Sequence, residues 1–248
     1  MMKKHSSFLS RIDKARVIST KEVASRAKRG MQAYIKAMLH EGKKSDEISV
    51  HLADGTAALA IGRIGLSATN PTGLACSKRC SFCCILTGDD GGTITEKEAK
   101  SLYFALIPFA KQPDGRSWHP KACPSLNPKT LECRAYEARP MICRSYISTD
   151  VEACKKISDG KTADGSGTLA PYHTYLASIG ISRLVLKGLK RVATYSMFRL
   201  ASEAVAGTAL DEALSNSRHA ASELDAELKR SKKDLLKIRQ LTVAARAK

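Results

Sequence analysis

Cysteine is the residue type of this chain whose number and spacing are suited to chemistry. The chain has 248 residues, and its 8 cysteines lie in one stretch: Cys76, Cys80, Cys83, Cys84, Cys123, Cys133, Cys143 and Cys154. The first four form a C-x3-C-x2-C-C run, which places soft sulfur donors close together. An all-cysteine donor set favours zinc or an iron–sulfur cluster over magnesium, calcium or manganese. We therefore predict a zinc or iron–sulfur site with all eight cysteines as ligands, enough for two four-thiolate sites.

A disulfide framework is the first alternative for so many cysteines. It requires an oxidising compartment and is typical of chains shorter than about 100 residues. Residues 1–11 contain no apolar stretch long enough for the core of a signal peptide, and no later segment approaches the ~18 apolar residues of a membrane span. We therefore expect a cytoplasmic protein without a transmembrane segment, in which the thiols are reduced. Buried or redox-active free thiols are a second alternative.

The sequence around the later cysteines has a recognisable order. Residues 123–124 read Cys-Pro, and residues 133–144 read Cys-Arg-Ala-Tyr-Glu-Ala-Arg-Pro-Met-Ile-Cys-Arg. Together with the first run, this order resembles the YkgJ-type cysteine cluster family, whose members are described as zinc- or iron-chelating. The resemblance extends over all eight cysteines and implies a metal-binding domain. Ser125 and Ala135 depart from the family pattern, which has an aromatic and a branched apolar residue there.

Four side chains near the last cysteines are predicted to support the metal site without binding the metal: Tyr136, Glu137, Arg139 and Arg144. We expect Glu137 and Arg139 to form a buried pair that holds the loop together. In the alternative, the arginines, including Arg134, offset the negative charge of the thiolates through hydrogen bonds to sulfur or to a neighbouring carboxylate.

Two positions leave the composition of the ligand set open. Adjacent side chains diverge, so Cys83 and Cys84 are expected to serve two different sites, or one of them lies outside the ligand set. His119 is the only histidine near the cysteines in the sequence. It is a candidate ligand, although its place in a loop beside Trp118 and Pro120 requires no special role.

The segment from Cys76 to Cys83 is also similar to the C-x3-C-x-aromatic-C loop of radical S-adenosylmethionine enzymes, with Phe82 as the aromatic residue. That resemblance implies a [4Fe-4S] cluster and a partial barrel of repeated strand–helix units. Residues after 84 show no succession of β-branched strands, which is unlike such a barrel. A related cysteine arrangement occurs in flagellin lysine methylases. An iron–sulfur enzyme or redox protein is therefore the alternative to a structural metal site.

The apolar periodicity of the flanking regions predicts a mainly α fold, with helices around a loop-rich, cysteine-ligated centre. The predicted helices cover residues 19–42, 45–64, 95–109, 172–206 and 209–240. The first opens with a capping box in which Ser19 is the cap, and it ends at Gly42. A second capping box, Thr95 with Glu98, opens the third helix, and a break is expected near Gly207.

These elements divide the chain into four predicted regions. They are a basic helical segment (1–70), a cysteine-cluster metal-binding domain (71–157), a flexible linker (158–171) and a second basic helical region (172–248).

Positive charge is the second strong signal of the sequence. Lysine and arginine number 41 against 24 aspartate and glutamate residues, which gives a formal net charge of +17. Such a charge favours nucleic acid or another polyanion as a partner, although solubility alone is the alternative explanation. The candidate nucleic-acid-binding residues are Lys229, Arg230, Lys232 and Lys233. In another alternative, a membrane surface is the partner of Lys187, Lys190, Arg191 and Arg199.

An apolar stripe along the C-terminal helical region predicts packing, self-association or a protein partner. Its members are Leu210, Leu214, Ala221, Leu224, Leu228, Leu235 and Ile238.

Overall fold

The structure, a computed structural model, describes residues 2–77, 79–85 and 90–246, and these residues are mainly α-helical, as the sequence predicts. The helices are α1 (Met2–Lys14), α2 (Lys21–His40), α3 (Ser45–Ala53), α4 (Thr56–Ser67), α5 (Glu96–Leu106), α6 (Met141–Ser145), α7 (Val151–Ser158), α8 (Ala170–Val185), α9 (Met197–Ala206), α10 (Leu210–Ser217) and α11 (Ala221–Arg246). The strands are β1 (Thr93–Thr95), β2 (Tyr146–Ser148), β3 (Ser166–Thr168) and β4 (Thr194–Ser196).

The chain forms two compact units, each assembled from segments that are far apart in sequence. The first unit consists of Met1–Leu66, Ala170–Ala193 and Ala220–Lys248. The second unit consists of Ser67–Leu169 and Thr194–His219. All eight cysteines fall in the second unit, so it carries the candidate metal centre.

Helix α2 shows why the first unit folds as it does. Its apolar residues recur every three or four positions, so they share one side of the helix. That side is buried through Val23, Ala27, Met31, Ile35 and Met38. It packs against α8, whose Ala177, Ile181 and Val185 belong to the same core.

The predicted helix boundaries are partly wrong, and local backbone geometry explains several of the differences. The cap of α2 is Thr20 instead of Ser19, because the Thr20 hydroxyl accepts a hydrogen bond from the backbone N–H of Val23 at 3.4 Å. Gly55 has a φ of 87°, which breaks the predicted 45–64 helix into α3 and α4. Gly207, with a φ of 85°, ends α9 close to the predicted break.

The two long C-terminal helices of the prediction are each interrupted. The predicted 172–206 helix is replaced by α8, strand β4 and α9. The predicted 209–240 helix is replaced by α10 and α11, because Arg218 is extended and the backbone N–H of His219 donates to the carbonyl oxygen of Thr194 at 2.9 Å. At both interruptions the chain contributes to the second unit, because β4 and His219 belong to it.

Two short antiparallel strand pairs organise the second unit. Strand β1 pairs with β4 in the register Ile94↔Tyr195, and β2 pairs with β3 in the register Ile147↔Gly167. Strand β3 lies inside the segment that the sequence analysis expected to be a linker. Thr95, at the end of β1, caps α5 together with Glu98, which confirms the predicted capping box.

The strand pairs differ from the sheet of a radical S-adenosylmethionine enzyme. Among the residues that the structure describes, the strands form antiparallel pairs, and none forms the parallel sheet that a radical S-adenosylmethionine barrel implies. Separately, no helix in the described part of the chain is both long and apolar enough to span a membrane.

Candidate metal centre

All eight cysteines of the second unit are free thiols, and their exposure differs. Cys123 and Cys154 are buried, whereas Cys76 and Cys83 are exposed. The other four are half-buried: Cys80, Cys84, Cys133 and Cys143. The thiols are therefore distributed from the interior of the unit to its surface.

The β2–β3 pair brings Cys76 and Cys154 to one place. The backbone N–H of Ser148, the last residue of β2, donates to the sulfur of Cys76 at 3.4 Å. The hydroxyl of Ser166, its partner across the pair, lies 3.3 Å from the sulfur of Cys154. The two serine hydroxyls are themselves hydrogen-bonded at 2.9 Å. A continuous set of contacts thus connects two cysteines that are far apart in sequence.

Cys80 belongs to the same neighbourhood. Burial raises the pKa of its thiol, and the charges of Cys83, Cys154 and Cys76 raise it further. Charges act in this way only over short distances, so these cysteines lie in the neighbourhood of Cys80. We call Cys76, Cys80 and Cys154 the first thiol group.

A second set of cysteines is held by loops and by α6. The backbone N–H of Cys123 donates to the carbonyl oxygen of Cys84 at 2.7 Å. Cys133 is held by an isolated antiparallel bridge to Leu126. Cys143 lies in α6, where its sulfur is 3.4 Å from the sulfur of Met197. We call Cys84, Cys123, Cys133 and Cys143 the second thiol group.

The thiols of the second group also influence one another. Burial raises the pKa of Cys133 to about 11, and the charge of Cys123 adds to this effect. Burial likewise raises the pKa of Cys143, with contributions from Cys123 and Cys133. The pKa of Cys84 is raised by its hydrogen bond to Cys83, by burial, and by the charges of Cys83, Cys123 and Cys143. Mutual repulsion of this kind is expected where several thiolates converge, and a bound cation would relieve it.

Cys83 lies between the two groups. Its hydrogen bond with Cys84 lowers the pKa of Cys83 to about 7. Its charge acts on Cys80 in the first group and on all four cysteines of the second. Cys83 and Cys84 are predicted to serve two different sites, and each thiol lies near enough to the other to act on its pKa.

Arg139 is an arginine whose charge acts on several of the thiols. Its charge lowers the pKa values of Cys83, Cys133 and Cys143, although burial outweighs it at the last two. The guanidinium lies 3.6 Å from the centre of the Tyr136 ring, and its Nε donates to the Tyr136 carbonyl oxygen at 3.1 Å. These contacts hold a positive charge beside the second thiol group.

The expected buried pair of Glu137 and Arg139 is wrong. Glu137 is exposed, and the described residues show no ion pair between it and Arg139. The Arg144 side chain holds the loop instead. Its guanidinium donates to the backbone carbonyl oxygens of Glu137 and Arg139, the latter at 2.8 Å. A guanidinium offers several donors in a fixed plane, which suits it to this bridging.

Arg134 and His119 have other surroundings. The Arg134 guanidinium lies 5.0 Å from the centre of the Phe109 ring and donates to the Pro113 carbonyl oxygen at 2.8 Å. Its Nε and Nη1 are buried without a hydrogen-bond partner among the described residues. The Nδ1 atom of His119 accepts from the backbone N–H of Lys121 at 3.2 Å, an ordinary loop contact.

Glu98 joins the end of β1 to the start of α6 through hydrogen bonds, and the sequence does not reveal this link. Its carboxylate is buried, and one oxygen accepts from the backbone N–H of Met141 at 2.7 Å, at the start of the helix that carries Cys143. The other oxygen accepts from the backbone N–H and the hydroxyl of Thr95, at 3.0 and 2.9 Å. The capping-box pattern in the sequence predicts the pairing of Glu98 with Thr95. It does not predict the hydrogen bond from the backbone N–H of Met141.

Gly115 is a second residue without a sequence signal. A Cβ atom at this position would overlap with the carbonyl oxygen of Cys123 and would lie 2.9 Å from the Cβ of Leu126. Only glycine lets the two backbone segments approach so closely.

The predicted nucleic-acid residues lie in the first unit. Lys229, Lys232 and Lys233 line an open cleft on α11. Arg230 does not line it, because its guanidinium forms an ion pair with Glu227 at 2.7 Å.

The thiol donors of the centre suit zinc or iron, but their present arrangement does not form a coordination site. Eight free thiols and a nearby guanidinium match the charge balance of four-thiolate sites. In the part of the chain that the structure describes, no group of three or more His, Cys, Asp or Glu side chains is arranged to hold a metal ion as it stands. Ligation would require the thiols of each group to turn towards a common point.

Comparison with known proteins agrees with the chemistry of the donors. The family model CxxCxxCC, described as "Putative zinc- or iron-chelating domain", matches residues 75–162, about a third of the chain. The match includes all eight cysteines and confirms the resemblance expected from the sequence. Comparisons with curated proteins and with solved structures found no match.

Proposed function

From the match to a zinc- or iron-chelating domain at residues 75–162, we propose that this segment binds zinc or an iron–sulfur cluster through two groups of four thiolates, and that the metal is structural. Cys83 completes the first thiol group, because the second already contains four cysteines. The expanded first group is Cys76, Cys80, Cys83 and Cys154. The second group remains Cys84, Cys123, Cys133 and Cys143.

The observation that carries the proposal is the pattern of neighbours among the thiols. The charges that raise the pKa of Cys80 come from Cys83, Cys154 and Cys76, which are the other members of its group. Those that raise the pKa of Cys143 come from Cys123, Cys133 and Cys83. The charge of Cys83 acts on Cys80 as well as on the second group, which supports its assignment as the fourth ligand of the first.

A structural role follows from where the ligands lie. The second thiol group is distributed over the segment 84–143, much of which is loop between α5 and α6. Bound zinc or iron would tie these loops together and keep their cysteines deprotonated. Binding of structural zinc is worth roughly 10–16 kcal/mol in small domains, as much as the whole stability of a typical domain. Arg139 would offset part of the negative charge of such a centre.

We also propose that the basic surface of the chain serves a polyanionic partner. The chain has a formal net charge of +17 and 8 cysteines. It would therefore stay positively charged even if every cysteine became a thiolate. The first unit contributes exposed lysines for which no acidic partner is seen among the described residues, including Lys229, Lys232 and Lys233. Alternatively, a protein partner binds to α11, where the apolar side chains of Leu236 and Ile238 are exposed.

The structural role is tested by removing the metal from protein purified without oxygen. A brown colour identifies an iron–sulfur cluster, and a colourless protein containing zinc identifies zinc. After treatment with a strong chelator, limited proteolysis should cleave first within residues 76–154, whereas α2 and α8 of the first unit should be cleaved no faster than before. An unchanged pattern in protein shown to be metal-free would contradict the structural role.

A further inference from the structure

The lysines of α11 lie along one side of the helix. The cleft is lined by Ile18, Lys229, Lys232, Lys233, Leu236, Lys237 and Gln240, and its volume is about 520 Å³. The α11 positions recur at steps of three residues, with Lys232–Lys233 and Leu236–Lys237 as adjacent pairs, so they share one broad helix face. Lys237 was not among the residues predicted from the sequence.

Three of the four acidic residues of α11 interact with groups outside the cleft. Asp225 forms an ion pair with Arg183, and Glu227 contacts both Arg230 and the hydroxyl of Tyr172. Asp234 lies close enough to His173 to act on its pKa. Among the side chains that the structure describes, none of the four carboxylates of α11, Glu223 included, lines the cleft, so the charged groups seen in its walls are all lysines.

The arrangement of the charges favours an extended anion over a small one. Lys229 and Lys237 are eight residues apart, which corresponds to about 12 Å along the helix axis. Successive phosphates of one duplex strand are about 3.4 Å apart along the axis, so this distance matches a row of about four phosphates. A small anion would instead require donors that converge on a single point.

We infer that this lysine cleft binds the phosphodiester backbone of nucleic acid. The inference rests on the proposed polyanion-binding function and gives it a site and a ligand. In the described part of the chain, the walls carry no aromatic side chain that could stack on a base and no arginine that could read one, so we expect binding that is independent of sequence. Ile18 and Leu236 contribute apolar side chains to the lining.

The test compares two variants that lose the same four charges. The cleft variant carries Lys229→Gln, Lys232→Gln, Lys233→Gln and Lys237→Gln. The control variant carries Lys14→Gln, Lys21→Gln, Lys36→Gln and Lys44→Gln, at exposed positions of the first unit that do not line the cleft. Binding of a labelled 20-base-pair duplex and of a single strand is titrated between 50 and 200 mM salt, with circular dichroism as the check on folding.

The expected result is a change in salt dependence confined to the cleft variant. Four lost duplex contacts should make the slope of log affinity against log salt shallower by about 3 to 4, since each contact contributes about 0.9. Over this salt range, the four contacts account for about a 100-fold change in affinity. Arg230→Gln should leave the slope unchanged, because Arg230 is paired with Glu227.

Three outcomes would overturn the inference in distinguishable ways. Equal losses in both variants would remove the cleft as the site but keep the polyanion-binding function. Absence of binding by the unaltered protein to nucleic acid and to heparin would remove both. Cleft-dependent binding to vesicles of anionic phospholipid, without binding to nucleic acid, would identify a membrane surface as the partner.

Discussion

Replacement of Glu98 by glutamine tests how the second unit positions Cys143. The buried carboxylate accepts three hydrogen bonds, from the backbone N–H groups of Met141 and Thr95 and from the Thr95 hydroxyl. The amide of glutamine keeps the size of the side chain but turns one acceptor into a donor. Whichever oxygen is replaced, an N–H group then faces a backbone N–H group, and the remaining hydrogen bonds lose their charge.

The cost follows from the number of bonds affected. A hydrogen bond to a charged group is worth about 1.5–3 kcal/mol, and a buried donor left without a partner costs a similar amount. We therefore expect Glu98→Gln to lower the free energy of unfolding of the second unit by about 2–4 kcal/mol. Because α6 begins at Met141 and carries Cys143, the variant should also bind metal more weakly.

Urea denaturation followed by tryptophan fluorescence measures this effect. The chain has a single tryptophan, Trp118, which lies in the second unit and reports on it alone. With a urea dependence of about 2 kcal/mol per molar, the midpoint should fall by about 1–2 M. The matched control is Glu96→Gln, which removes the ion pair with Lys100 at the helix surface and should cost less than about 0.5 kcal/mol. Equal midpoints for the two variants would refute the role assigned to Glu98.

Two further changes address the packing and the pH response of the second unit. Gly115→Ala should destabilise the metal-free unit by about 1–3 kcal/mol, because the new methyl group overlaps with the Cys123 carbonyl, whereas Gly167→Ala, which meets nothing within 4 Å, should leave the urea midpoint unchanged. Burial raises the pKa of Asp90, but hydrogen bonds from His219 and Ser196 outweigh burial and lower it overall. A lowered folded-state pKa adds stability above the unfolded value of about 3.9, and this stability is lost as the pH falls through the folded-state value. Asp90→Asn should therefore lose less stability than the unaltered protein in urea titrations between about pH 5 and pH 3; parallel curves would contradict this.

The parts of the fold that sequence predicts are those with local signals. The apolar spacing of α2 and the Thr95–Glu98 capping box are read from neighbouring residues, and both are present in the structure. The break at Gly55 also had a local signal, but only its positive φ decides between one helix and two.

The rest depends on contacts between distant residues. Strand β4 forms because Tyr195 pairs with Ile94, a partner about 100 positions away that no local pattern identifies. The same is true of the contacts that bring Cys154 next to Cys76 through Ser148 and Ser166. The cysteines were recognisable as a set from their number and spacing, whereas their grouping required the folded chain.

The charge signal of the sequence was similarly incomplete. It identified Lys229, Lys232 and Lys233, and it included Arg230 because the four residues are close in sequence. The structure separates Arg230 from the cleft and adds Lys237. The ion pair of Arg230 with Glu227, three positions away on the same helix, is a contact that net charge and closeness in sequence do not reveal.

Intact-mass measurement under native conditions, on protein purified without oxygen, tests the two thiol groups most directly. We predict that the unaltered protein carries two metal centres. Cys154→Ser should lose the one held by the first group, and Cys143→Ser should lose the other, while His119→Ala should retain both. A mass equal to that of the bare polypeptide, or the loss of all bound metal in either single cysteine variant, would contradict two separate thiolate sites.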